Sequence, residues 1–253
     1  MLLLVREIYA STTAKESTGS DNRNEYPINS IKNICIIKLI LSHMRFLALS
    51  DFHGDYSHIE AICDMAGEFD AVLIAGDLTD FGPDEKALEL LGLFTKPVLA
   101  VPGNCDNVSL LKILDEKTIS LHNSFHKIGE LTFVGLGGSN PTPFNTPFEL
   151  SEKRIGEYIG TLLSRLNTSK KTILLSHFPP RNTTDRLPVG NVGSVALARF
   201  LGRFDLIVCG HIHEGRGIVR VNGTHVVNPG QASKGQAAMI TIDDEITVEF
   251  IDA

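Results

Sequence analysis

Five short segments of this 253-residue chain carry residues suited to chemistry at one site: Asp51-Phe52-His53, Gly76-Asp77, Gly103-Asn104, His177 and Gly210-His211-Ile212-His213. Asp51, His53, Asp77, Asn104, His177, His211 and His213 together offer carboxylate, imidazole and amide donors, and each stands where a short apolar run ends. Such a nitrogen and oxygen set, with no clear thiolate, suits Mn, Fe or Zn better than a Cys-rich structural zinc site would. Two metals about 3.5–4 Å apart are a standard device for hydrolysing phosphate esters. On an extended segment Asp51 and His53 would point the same way, as would His211 and His213, because side chains alternate with period two. Two such pairs on neighbouring strands would clasp one cation. Asp77 has two oxygens to share between ions. The glycines before Asp77, Asn104 and His211 are expected to let the backbone turn sharply and to leave space around the ions.

The apolar runs that end in these residues are Phe46–Leu49, Ala71–Ile74, Val98–Val101, Thr172–Leu175 and Leu206–Cys209. They read as strands, and amphipathic helices lie between them. One helix spans Tyr56–Gly67 with Ile59, Ile62, Cys63 and Ala66 on a single face. A second begins near Pro83 and presents Ala87, Leu88, Leu91 and Leu93. A third is capped by Ser151 and carries Ile155, Ile159, Leu162, Leu163 and Leu166 at helical spacing. These βαβ units predict a largely parallel sheet, and in an open α/β sheet ligands gather at the carboxyl ends of the strands. The C-terminal third is antiparallel: Asn222-Gly223 marks a hairpin between Gly217–Val221 and Thr224–Val227, and an Asp-Asp turn joins Ala238–Ile242 to Ile246–Ile251. The Pro-, Asn- and Gly-rich stretch Gly137–Phe148 predicts a long irregular loop, either functional or an ordinary surface excursion.

Hydrophobic residues make up 43% of the chain, ordinary for a globular protein with a sizeable core. The formal net charge of −7, with no long basic run, argues against a dedicated nucleic-acid binder. The four cysteines (Cys35, Cys63, Cys105 and Cys209) form no C-x-x-C pair, so a disulfide framework is not expected and a reducing cytoplasm is the default. No apolar stretch near the N-terminus is long enough to span a bilayer. Residues 1–43 differ in character from the rest. They are expected to be a poorly ordered extension, or a mis-assigned start upstream of Met44, with one domain over 44–253.

These blocks resemble the signature of the calcineurin-like metallophosphoesterase superfamily: Asp51-Phe52-His53, then Gly76-Asp77-Leu78-Thr79-Asp80, Gly103-Asn104-Cys105-Asp106, His177 and Gly210-His211-Ile212-His213. The subgroup it is most similar to is that of small prokaryotic, especially archaeal, predicted phosphoesterases related to cyclic-nucleotide phosphodiesterases. The resemblance implies a four-layer αββα sandwich of two mixed β-sheets, with a dimetal site at the C-terminal rim of the strands. It implies one metal on Asp51, His53 and His213 and another on Asn104, His177 and His211, with Asp77 bridging. It further implies in-line attack on phosphorus by a hydroxide held between two divalent ions, Mn²⁺ first and Fe or Zn next.

Many members of that family have histidine after the ligand asparagine, placed to protonate the leaving group or steady the phosphoryl oxygens; here the residue is Cys105. A thiol is a poorer general acid, which shifts the expectation toward diesters or good leaving groups. Asn104, Cys105, Asp106 and Asp77 are the candidate catalytic residues, Asp106 bracing its loop if it has no histidine to orient. Arg181 could reach a phosphate oxygen or be an ordinary loop arginine. Asp80 is expected to orient a ligand or cap the following helix. His122 or His126 could replace the missing acid, although surface positions are the simpler expectation, as for His58; His225 on a hairpin strand reads as a packed or surface residue. Asn228-Pro229-Gly230 reads as a structural turn. The expected activity is a phosphodiesterase on a small phosphorylated or nucleotide-like substrate. Its rivals are a non-catalytic binding scaffold of the same fold, disfavoured by the complete ligand set, and a nuclease, disfavoured because no DNA-facing segment follows the last expected strand.

Overall fold

The computed structural model describes residues 43–167 and 169–253. The expected N-terminal extension, save its last residue, lies outside them. The chain begins β1 (Met44–Leu49), α1 (Ile59–Ala66), β2 (Ala71–Ala75), α2 (Lys86–Gly92), β3 (Val98–Val101), α3 (Leu110–Lys117) and β4 (Ile119–Ser120). There follow β5 (Ser124–Ile128), β6 (Leu131–Leu136), α4 (Glu152–Arg165), β7 (Lys171–Ser176) and a small hairpin, β8 (Arg186–Leu187) and β9 (Gly190–Asn191). The last elements are α5 (Val195–Ala198), β10 (Leu206–Val208), β11 (Gly217–Val221), β12 (Thr224–Asn228), β13 (Gln236–Ile242) and β14 (Ile246–Asp252).

Two six-stranded sheets form, ordered β14-β13-β1-β2-β3-β4 and β11-β12-β10-β7-β6-β5. Strands β1 to β4 run parallel, with β4 at the edge, and so do β6, β7, β10 and β12. β13, β14, β5 and β11 add antiparallel edges. Both sheets are therefore mixed, and the inner strands read as unbroken apolar runs because both of their faces are covered.

Alternation within β1 shows the layering. Phe46 and Ala48 point into the space between the sheets, where they meet Phe133, Ile173, Leu175 and Val208. Leu47 and Leu49 point outward against Ile59 and Ile62 of α1 and Leu90 of α2. On the far side of the second sheet, Leu174 and Ile207 pack against Ile155, Ile159 and Leu162 of α4. The result is the expected four-layer αββα sandwich, and the Phe46 and Phe133 rings meet edge to face at 5.2 Å between its two sheets.

Ser151 caps α4, its side chain accepting from the Arg154 N–H. Asn222 (φ 52°) and Gly223 (φ 88°) make the β11–β12 turn in the left-handed region that a two-residue hairpin requires. The second helix differs from its sequence reading. It starts at Lys86 and buries Ala87 and Leu90, while Leu88 and Leu93 are exposed. The cause lies just upstream, where the Asp84 carboxylate accepts from Asn107 Nδ2 and Ser109 Oγ. That contact holds residues 81–85 as a loop and delays the helix.

Candidate metal centre

The C-terminal ends of β1, β2 and β3 in one sheet and of β7 and β10 in the other meet at a common rim. Asp51 and His53 leave β1, Asp77 leaves β2, Asn104 leaves β3, His177 leaves β7, and His211 and His213 follow β10. They do not converge by strand alternation. Asp51 (φ 59°), His53 (φ 47°), Asp77 (φ 51°) and His211 (φ 68°) all adopt left-handed backbone, and His213 opens a 3₁₀ turn. Such conformations cost about 1–3 kcal/mol each in a non-glycine residue and persist where the surroundings enforce them. Here the Phe52 and His53 N–H groups both donate to the Asp77 carbonyl, at 2.9 and 3.0 Å, and Asp51 N–H donates to the Gly76 carbonyl.

The glycines act chiefly by omission. A Cβ on Gly103 would overlap the Asp77 carboxylate, and one on Gly210 would overlap Ser50 Oγ. Only Gly76 (φ 93°) also needs the left-handed region. Space, more than a sharp turn, is what these positions supply.

The donor atoms form two adjoining sets. In the first, His53 Nε2 and His213 Nε2 lie 3.3 Å apart, and His213 Nε2 is 3.5 Å from Asp51 Oδ1. In the second, His177 Nε2 is 3.0 Å from Asn104 Oδ1, and the rings of His177 and His211 are 5.0 Å apart. Asp77 Oδ2 faces both sets, 3.7 Å from His53 Nε2 and 3.3 Å from His177 Nε2. Its other oxygen, Oδ1, accepts from Cys105 N–H at 2.8 Å. His177 Nδ1 lies 2.7 Å from the Ala75 carbonyl, which can only accept, so Nδ1 carries a proton and Nε2 is the ring nitrogen turned toward Asp77 and Asn104.

Two polar residues hold the loops in place. Asp106, fully buried, accepts from Leu78 N–H, Thr79 N–H, Thr79 Oγ1 and Gly103 N–H, and so ties the loop after β2 to the loop after β3. This geometry makes it a brace between the two loops. Asn228 does more than form part of a turn. Its Nδ2 donates to the carbonyls of Ile212 and Gly210, which fixes the loop carrying His211 and His213, and its Oδ1 accepts from Gly230 N–H. An asparagine at a strand end before Pro-Gly is the signal in the sequence, but its partners lie on another loop.

Burial works against the charge of Asp77, yet the neighbouring His177 and His53 and the Cys105 N–H outweigh it, and the carboxyl sits well below the usual carboxylate range. His177 is likewise opposed by burial but lifted by Asp77, to about 9. Burial and then the positive His177 push His211 down to about 4. Burial, followed by the charge of Asp77, raises Asp106 to about 6 despite its backbone donors. Burial and Asp77 together push the Cys105 thiol above its ordinary range. Its Sγ joins His53 and Asp80 in a third group of closely spaced donors.

The remaining candidates are placed as follows. Asp80 is exposed, 3.9 Å from His53 Nδ1, and does not cap α2. Arg181 is exposed, and its backbone N–H pairs with the Ser194 carbonyl. His126 is exposed on β5, and His58 is partly buried just before α1. His122 is not a surface residue: its Nδ1 accepts from Gly137 N–H, and its ring packs against Phe148 and Tyr158. His225 is partly buried, with Nδ1 lacking a partner among the described residues. The Gly137–Phe148 loop is anchored to the site, because Phe148 N–H donates to the Asn104 carbonyl.

The donors fit two divalent cations. Asp51 and Asp77 are 1% and 2% exposed, and among the described residues their ion-pair partners are these histidines, with no lysine or arginine. Two buried carboxylates whose only ionic partners among the described residues are imidazoles make a costly arrangement, which cations would relieve. The oxygen and nitrogen donors match that need. Fold and site thus define an αββα protein with candidate metal-ligand clusters where its sheets converge.

Residues 44–215 match the sequence pattern of the calcineurin-like phosphoesterases. An uncharacterized protein of Methanocaldococcus jannaschii is 32% identical over 219 residues, 81% of this chain and 98% of that protein. A solved structure from Thermus thermophilus shares the fold at a TM-score of 0.60 and 16% identity, covering 81% of this chain and 98% of that one. A dimetal phosphatase from Danio rerio does so at 0.59 and 12% identity, covering 83% and 96%. The chain belongs to the calcineurin-like phosphoesterase family. The family and the donor set together support a metal-dependent phosphoester hydrolase.

Proposed function

We propose that this protein is a dimetal phosphodiesterase acting on a small phosphorylated or nucleotide-like substrate. The observation that supports it best is Asp77 Oδ2, one carboxylate oxygen facing both donor sets. Asp51, His53 and His213 would hold one ion, Asn104, His177 and His211 the other, and Asp77 both. When bound, two such ions polarise a phosphoryl oxygen and lower the pKa of water, so that hydroxide is available near neutral pH for in-line attack. Mn²⁺ is the first choice for this donor set, with Fe or Zn as alternatives.

The chain's own residues set the rest. His177 is locked by the Ala75 carbonyl with Nε2 toward the centre. Cys105 stands where a histidine would protonate a leaving group, and its thiol, raised by burial, is a poor acid near neutral pH. His122 is committed to Gly137 N–H and does not replace it. Substrates with good leaving groups depend least on that proton, and such substrates or diesters are the ones we favour. Arg181, exposed in the segment after His177, is a candidate phosphate contact. The free thiols Cys63, Cys105 and Cys209 suit the reducing cytoplasm, where we place the protein. No helix among the described residues is long and apolar enough to cross a membrane.

The test is hydrolysis by the metal-stripped protein after Mn²⁺ is restored, comparing an activated aryl phosphodiester with its monoester beside Asp77→Ala. The expected result is metal-dependent diester cleavage that falls by at least about 100-fold in the variant, since loss of a ligand should exceed the 10–100-fold effect of losing a ligand's supporting group. A monoester preference would overturn the diester assignment. Two bound ions with no turnover under any divalent metal would favour the binding-scaffold reading.

A further inference from the structure

A cavity of about 370 Å³ opens beside the metal centre, where Asn104, His211 and His213 form part of its wall. That volume lies within the range of small-molecule sites, roughly 300–1,000 Å³. The rest of the wall comes from two separate loops. The Gly137–Phe148 loop contributes Pro141, Pro143 and Phe144, and the β8–β9 hairpin with the residue after it contributes Leu187, Val189 and Val192.

Val189 at 87% and Phe144 at 81% exposure are the two most exposed large hydrophobic side chains among the described residues, and both line this one cavity. Scattered single apolar residues on a surface need no explanation, but a contiguous apolar wall beside a reactive centre does. The wall is built in advance. Asn140 Nδ2 donates to the Val192 carbonyl and ties the two loops together at 3.1 Å. Glu149 accepts from the N–H and Oγ1 of both Thr142 and Thr146, which holds the turn that displays Phe144. No lysine or arginine is found among the described residues that line it, and Glu214 places a negative charge there.

We infer that this cleft binds the ester substituent of the substrate, and that the substituent is neutral, flat and apolar, an aryl group or a nucleobase. The inference rests on the phosphoesterase reading, because a phosphate on the two ions sets its substituent beside Asn104, His211 and His213. Phe144 offers a ring face for stacking, and Val189 closes the opposite loop. A second phosphate or a polynucleotide backbone finds no lysine or arginine among the described lining residues to receive it, so polyanionic substrates are discriminated against.

The test is calorimetric binding to the full-length, Mn²⁺-loaded protein, which reads the cleft without turnover. The probes are methylphosphonate, phenylphosphonate and 4-carboxyphenylphosphonate. Phenylphosphonate is expected to bind about tenfold tighter than methylphosphonate, the scale of one partly buried ring. 4-Carboxyphenylphosphonate is expected to lose most of that advantage. In the Phe144→Ser/Val189→Ser double variant, whose changes lie at exposed positions, the phenyl-to-methyl ratio should fall toward one. Equal affinity of the phenyl and methyl probes, no binding of either, or a phenyl advantage that survives the double substitution would overturn the inference. A phenyl advantage in a protein that hydrolyses no ester would sink the phosphoesterase reading and leave the cleft standing.

Discussion

His122 illustrates how one residue's surroundings outweigh its type. Burial against Phe148 and Tyr158, aided by Arg154 and only partly offset by Asp115, pushes it down to about 4, while the neutral ring accepts from Gly137 N–H. In the unfolded chain its value is about 6.5. Between these values the unfolded state binds more protons, so the contribution to stability is complete above about pH 6.5 and is lost as pH falls through about 4. His122→Gln, which keeps an acceptor, is expected to flatten the fall of Tm with decreasing pH over that window. Parallel thermal melts of the two proteins from pH 7.5 to 4 would check it, and superimposable slopes would count against it. The thiol beside the centre makes the same point: Cys105 is legible in the sequence as a departure from the family pattern, but its raised thiol follows from burial and from Asp77, neither of which is local.

At the scale of elements, the site is a set of strand ends held by polar ties between loops distant in sequence. Asn228 belongs to β12 yet fixes the carbonyls of Gly210 and Ile212 on the loop after β10. Removing it with Asn228→Ala leaves those carbonyls buried and frees the backbone between His211 and His213. Metal affinity should fall about 10–100-fold, as when other groups supporting a ligand are lost. Competition with a chromophoric chelator reads this directly, and an unchanged affinity would show that the loop holds itself. The strands that lead into the site, the C-terminal hairpins and three helices were legible, because apolar runs and 3.6-residue periodicity are properties of contiguous residues; β4, β5, β6, β8, β9, α3 and α5 were not read. The start and buried face of α2 were not, since Asp84 is held by Asn107 and Ser109 of a later loop. The left-handed backbone at Asp51, His53, Asp77 and His211 was also hidden, because it is imposed by bonds between loops.

For the whole molecule, the decisive fact is that the donors come from two sheets. Asp51, His53, Asp77 and Asn104 follow strands of the first, while His177, His211 and His213 follow strands of the second. The apolar layer between the sheets, with Phe46 against Phe133, therefore sets the distance between donors at the rim. Phe133→Ala should cost about 3–5 kcal/mol of stability, as expected for truncating a buried phenylalanine. It should also weaken metal binding, although Phe133 lies among apolar residues of the inter-sheet layer and offers no donor. Denaturant unfolding with and without Mn²⁺ measures both effects, and stability lost without any change in metal affinity would refute the link.

By itself the sequence determined the donor types, their place at the ends of apolar runs, and the alternation of strands and helices that makes an α/β sandwich. These are local properties, written in neighbouring residues and in the order of the motifs. Only the tertiary structure decided which donors share a centre, that Asp106 faces inward as a brace, that Asn228 holds the histidine loop, and that Phe144 and Val189 line one cleft. Each of these depends on the packing of one sheet against the other and of loops against loops. Those contacts join residues far apart in the chain, and no single stretch of it contains them.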